Sequence, residues 1–114
     1  MDLRSLATAD AFRTKDGSTV RELHHTSAQS LAEAVLDPGG ATERHYHAAS
    51  EEIYFVLEGG GTMEIEGDER PIGAGDAVLI PPGAFHQIRN DGGGDLRFLC
   101  CCSPPYRHDD TFFS

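Results

Sequence analysis

Hydrophobic and polar residues alternate along most of this chain, and glycine- and proline-rich breaks interrupt the alternation about every ten residues. A period of two is the mark of a strand with one buried face. Thr19–His25 reads as such a strand. Leu31–Asp37 has the Ala, Leu and Glu content of a helix, but its shortness and the Pro38-Gly39-Gly40 stop favour a strand. Ala41–His47 puts His45 and His47 on one face. Ile53-Tyr54-Phe55-Val56-Leu57, inside Glu51–Glu58, is β-branched and aromatic and predicts a well-buried strand. Gly59-Gly60-Gly61 ends it. Thr62–Glu66 sets Met63 and Ile65 against Glu64 and Glu66. Ala77–Ile80, Phe85–Arg89 and Leu96–Cys102 complete the set, separated by Pro81-Pro82-Gly83 and by Asn90-Asp91-Gly92-Gly93-Gly94. Lys15-Asp16-Gly17-Ser18 reads as a hairpin turn. Many short strands in one chain predict an all-β sandwich or barrel. The expected layout is an N-terminal arm or edge segment over residues 1–18, a barrel over 19–103 and a C-terminal tail over 104–114.

Composition narrows the partners. At 114 residues, 39% hydrophobic and 25% charged, the chain is sized and composed as one folded domain. Its net charge of −10 opposes phosphate backbones and anionic membrane surfaces, so neither nucleic acid nor membrane is expected as a partner. No apolar run approaches the ~20 residues of a membrane-spanning helix, and no secretory leader pattern follows Met1-Asp2-Leu3-Arg4-Ser5. Cys100, Cys101 and Cys102 are consecutive, which suits neither a disulfide framework nor the spaced pairs of a thiolate zinc site. A reducing, cytoplasmic setting follows as the expectation, with two of the three cysteines acting as small apolar strand residues.

The candidate chemistry lies in His45-x-His47, the carboxylates Glu51 and Glu52 just after it, and His86 some forty positions on. Imidazole and carboxylate are the usual ligands of first-row divalent metals, and three histidines with one carboxylate leave an octahedral ion two open positions. Taken alone, the His-x-His pair fits a polar strand face better than a metal site.

The wider spacing is more specific. Gly39, His45, His47, Glu52 and Gly59 resemble the first motif of the cupin family, and Gly75, Pro81, Gly83, His86 and Asn90 resemble the second. Fifteen residues separate Gly59 from Gly75, the short gap of small single-domain cupins. The resemblance implies a jelly-roll β-barrel (a double-stranded β-helix). It also implies one divalent transition metal per chain (Fe, Mn, Ni, Co or Zn) bound by His45, His47, Glu52 and His86. Glu51 is the competing carboxylate; family spacing and strand parity with Tyr54 and Val56 favour Glu52. Gly59, Gly83 and Asn90 read as scaffold. Such a site should empty as pH falls through the histidine range, and metal removal should soften the barrel.

Tyr54 and Glu51 are the catalytic candidates, with His24 or His25 as further acid–base options, whichever faces inward. Val56, Met63, Ile65 and Ile88 are candidate lining residues, and Arg21 and Glu33 are weaker inward options. Phe98, Cys100 and Cys102 share one face of the last strand, Leu99 and Cys101 the other, and the pattern does not say which is inside. The resemblance implies a metal-dependent enzyme acting on a small oxygen-rich molecule, of dioxygenase, decarboxylase, lyase or isomerase type. The alternatives are a non-catalytic module that binds a metal or small ligand, and a barrel with no working site. A homodimer is expected, by analogy with small cupins.

Overall fold

Alternation sets which side of each strand is buried, and the strands assemble accordingly. The computed structural model describes residues 1–114 and contains eleven strands and one turn of 3-10 helix. In chain order the strands are β1 (Ala11–Arg13), β2 (Thr19–His25), β3 (Ser30–Leu36), β4 (His45–His47), β5 (Glu51–Glu58), β6 (Gly60–Ile65), β7 (Asp68–Gly73), β8 (Ala77–Ile80), β9 (His86–Arg89), β10 (Leu96–Ser103) and β11 (Thr111–Phe113). They form an antiparallel sheet of order β1-β2-β3-β10-β5-β8 and a second of order β11-β4-β9-β6-β7. The core between them is built from Val56, Ile80, Ile88, Leu96 and Phe98, all essentially removed from solvent. This is the all-β jelly roll of the sequence expectation, in one domain. No helix is long and apolar enough to cross a membrane.

The strongest alternation lies in β5. Glu52, Tyr54 and Val56 are buried, whereas Glu51, Ile53, Phe55 and Leu57 face out. β10 follows the same rule, with Phe98 and Cys102 buried. Glu33 breaks it visibly: it is buried on the outer face of β3, where Arg97 Nε and Nη2 donate to Oε2 at 3.0 and 2.8 Å and Arg21 approaches Oε1 at 3.8 Å. Arg21 and Glu33 are therefore an outside ion cluster, not residues of the interior.

Three strands lie beyond the sequence expectation. β7 is an exposed, polar edge strand containing Pro71, which an edge tolerates because one side of the strand donates to no neighbour. β1 pairs with β2 and carries the arm onto the first sheet. β11 pairs with β4, Thr111 opposite His47 and Phe113 opposite His45, so the segment expected as a tail completes the second sheet. Three residues are too few for a period to register. Asp110 secures the same connection: its carboxylate accepts from the backbone N–H of Ala48, Ala49 and Ser50 at 3.1–3.3 Å.

Loop chemistry fixes the approach to His86. Gly83 sits at φ +81°, open to glycine and strained for other residues, and its N–H donates to His47 O at 2.7 Å. Asn90 Nδ2 donates to Leu36 O at 2.9 Å and Gly94 O at 2.8 Å, while its Oδ1 accepts from Gly92 N at 2.9 Å. Both ends of β9 are thereby pinned.

Candidate metal centre

Strand periodicity brings the imidazoles together. His45 and His47 are two residues apart on β4 and point to the same face, and His86 on β9 pairs directly opposite His45. All three are buried, and one nitrogen from each lies within 4.8 Å of the others. Each ring is fixed from behind. His45 Nδ1 is 2.6 Å from Glu43 O, His86 Nδ1 is 2.9 Å from Ala84 O, and His47 Nδ1 is 3.2 Å from Asp110 O. A carbonyl only accepts, so Nδ1 carries the proton in each case and Nε2 turns its lone pair inward.

Glu52 comes from the opposite sheet, where it opens β5. Its Oε1 lies 3.5 Å from His47 Nε2 and 3.6 Å from His86 Nε2. Glu52 Oε1 and His86 Nε2 are both buried and neither has a hydrogen-bond partner in the protein. Buried polar atoms rarely stay unpaired, because the loss of hydration is not recovered. Facing lone pairs from three imidazoles and a carboxylate are what a divalent cation satisfies, so the donor set fits a metal. Glu52 Oε2 is held separately by Cys102, whose thiol donates at 3.1 Å.

Burial and the close approach of Glu52 to the imidazoles set the electrostatics of the bare site. Burial alone would raise the Glu52 carboxyl, but His47 and His86 outweigh it and bring the group to about 2. Burial alone would lower His47, but the adjacent Glu52 carboxylate outweighs it and the group is raised. His45 is lowered, first by burial and then by the nearby His86. Burial pushes Tyr54, Cys100 and Cys102 up, with the charge of Glu52 adding to each. The phenol and the thiols are therefore proton carriers at neutral pH, not anions.

Similarity to known proteins accords with this geometry. A family model described as a cupin domain matches residues 32–102. The chain belongs to the cupin family. This cupin is 47% identical over 105 residues to the uncharacterized protein MJ1618 of Methanocaldococcus jannaschii, across 88% of this chain and 84% of that protein. It is 38% identical over 79 residues to an oxalate-binding protein of Thermotoga maritima, across 69% of this chain and 65% of that protein. In structure it resembles KdgF from a Halomonas species, with a TM-score of 0.83 and 23% identity, covering 96% of this chain and 97% of that one. That last likeness speaks for the fold alone.

The cupin's interior cavity, about 40 Å³, adjoins the histidines. Tyr54, Phe98, Cys100 and Cys102 line it, which settles the inward face of β10. Val56, Met63 and Ile88 pack in the core instead. Glu51 is exposed on the outer side of β5 and takes no part in the cavity. The same holds for His24, half-buried, and His25, exposed and 3.1 Å from Glu22 Oε2. Three polar lining residues carried no signal in the sequence: Asp16, Glu22 and Tyr106. A register shift in β2 between Glu22 and His24 accompanies the placement of Glu22 at the cavity. Tyr106 stands edge-on to His47 with ring centroids 5.7 Å apart, and burial raises it to about 12.

Proposed function

We propose that His45, His47, Glu52 and His86 hold one divalent transition metal, and that the protein is a metal-dependent enzyme acting on a small oxygen-rich molecule. The observation that carries this reading is the pair of buried, unpartnered atoms, Glu52 Oε1 and His86 Nε2, facing each other at 3.6 Å. The metal when bound would supply Lewis acidity, or dioxygen chemistry if it is iron. The chain's own groups do the rest. No lysine or arginine lines the cavity, whereas Asp16, Glu22 and Glu52 do. An anion would therefore meet repulsion in the bare protein, and its binding depends on the cation. The Tyr54 phenol, which burial keeps protonated, is the group suited to donate a hydrogen bond or a proton to a bound oxygen. Phe98 and the thiols of Cys100 and Cys102 make the β10 side of the wall largely apolar.

A second reading has its own support: a module that binds a small dicarboxylate without converting it. The cavity offers few acid–base groups, and a 38% identical relative is described as oxalate-binding. Metal-loaded protein incubated with oxalate, other oxo-acids, diketones and uronic sugars separates the two. Product formation or oxygen uptake supports the enzyme, and saturable binding with neither supports the module.

Acid should release the cation. Each imidazole must be neutral to bind, so protons compete with metal. His47, which Glu52 raises, is protonated before His45, which burial lowers, as pH falls. Glu52 stays ionised until about pH 2, so it does not limit binding near neutrality. Nickel affinity measured by titration calorimetry should decline as pH falls through the histidine range. An affinity unchanged between pH 8 and 5 contradicts histidine ligation.

We also propose a homodimer in a reducing, cytoplasmic setting. Ile53, Phe55 and Leu57 on β5 and Leu79 on the edge strand β8 leave 36–56% of their surfaces exposed on one outer face. Ile53 and Leu79 are direct cross-strand partners, so the patch is continuous. A second copy would cover this face and pair the free edge. Sedimentation should give a dimer for the native chain and a monomer for Leu79→Asp; a native monomer at micromolar concentration refutes the assembly.

A further inference from the structure

We infer that Asp16 is a fifth ligand to the cation, carried across the cavity by the N-terminal turn; this rests on the metal reading above. The two carboxylate oxygens of Asp16 have different surroundings. Oδ1 accepts from Ser18 N at 3.0 Å, from Ser18 Oγ at 2.8 Å and from Thr14 Oγ1. No protein donor reaches Oδ2, which faces His45 Nε2 at 3.7 Å, and the side chain is only 14% exposed. That separation is too long for a hydrogen bond. It matches the 3.5 and 3.6 Å that Glu52 Oε1 keeps from Nε2 of His47 and His86. Neighbouring ligands on one ion, each bonded at about 2.1 Å, stand roughly 3–3.5 Å apart, so Asp16 Oδ2 stands a few tenths of an ångström beyond ligand spacing from His45.

The turn is built to hold this oxygen still. Thr14 N donates to Ser18 O at 3.0 Å, Gly17 N donates to Thr14 O at 3.1 Å, and Gly17 adopts φ +97°. Glu43 links turn and imidazole: its N–H donates to Asp16 O at 2.6 Å, and its carbonyl accepts from His45 Nδ1 at 2.6 Å. A shift of the turn therefore moves His45 as well. Lys15 Nζ adds a tie to His108 O at 3.2 Å.

Charge supports the same conclusion. Asp16 and Glu52 as ligands would balance a dication, in a cavity that holds a third carboxylate, Glu22, and no cationic side chain. A ligand entering from the side of the turn must compete with the Asp16 carboxylate. Chelating molecules with two oxygens win that competition more readily than molecules with one.

The probe is Co(II), added to the full chain and followed by titration calorimetry and by its d–d absorption. Asp16→Ala removes the carboxylate. Asp16→Asn keeps an oxygen for Thr14 and Ser18 and so preserves the turn. Both variants are expected to bind Co(II) about tenfold more weakly or worse, with a stronger d–d band typical of lower coordination. Wild-type affinity or an unchanged band in the asparagine variant overturns the proposal, because Asp16 would then act only through the turn. A wild-type protein that takes up no Co(II) refutes the metal reading itself, whereas normal uptake with indifferent variants refutes only the fifth ligand.

Discussion

His86→Ala is expected to abolish stoichiometric uptake of divalent metal and, with it, the stabilisation that metal confers. His86 is completely buried, its Nδ1 is committed to Ala84 O, and its unpartnered Nε2 faces Glu52 Oε1. Alanine removes one of the proposed donors and leaves Glu52 a single imidazole neighbour, His47. A ligand that binds only the folded state adds about 2.7 kcal/mol at a hundred times its dissociation constant. For a domain of this size that corresponds to a rise in Tm of roughly 10 °C. The native protein should therefore melt that much higher with saturating Co(II) than after chelation, and His86→Ala should melt at one temperature in both conditions. Calorimetric scans with and without chelator decide it: a metal-dependent shift that survives in the variant means the cation is held elsewhere.

The residues that could be read in advance and those that could not differ in the range of the information they need. His45, His47 and Glu52 lie within eight positions, and strand parity alone separates Glu52 from Glu51: one faces the interior with Tyr54 and Val56, the other faces out. His86 is distant in sequence, and its place opposite His45 depends on the pairing of β4 with β9, which no local pattern gives; the resemblance of spacing implied only that it shares a metal with His45 and His47. Asp16 had no such marker. As Asp-Gly it reads as a turn, and a turn it is; that the turn folds over the barrel depends on Glu43 N and His108 O, contacts far along the chain. Glu22 reaches the cavity beside a register shift that no alternation foretells. β7 was hidden by its exposed polar residues, and β11 by its length. The cavity's acid–base groups, Tyr54 apart, thus came from the places where local pattern says least.

Gly61→Ala is expected to be the most damaging single methyl addition in the protein. Glycine near the end of β5 suggests a simple strand stop, yet Gly60 and Gly61 open β6, which runs between β7 and β9. Gly61 lacks the positive φ that singles out Gly59, so its requirement is one of space. A Cβ there would lie 1.9 Å from Arg89 O, 3.0 Å from Arg89 C and 3.3 Å from Leu96 Cδ2. The first two are backbone atoms at the end of β9, where Asn90 and the Ala41–Arg89 bridge hold the chain in place. They cannot swing aside as a side chain would, so β6 and β9 must separate. Overpacking at such a site costs about 3 kcal/mol, a fall in Tm of roughly 12 °C for a domain of this size. The damage should also reach the metal centre, because the same β6–β9 ladder pairs Ile65 with His86. Weaker Co(II) binding should therefore accompany the lower Tm. Gly93→Ala is the matched control: its added Cβ meets nothing within 4 Å, and its Tm should stay near that of the native chain. If Gly61→Ala melts within a few degrees of Gly93→Ala, the close approach of β6 to β9 is not what holds His86 in position.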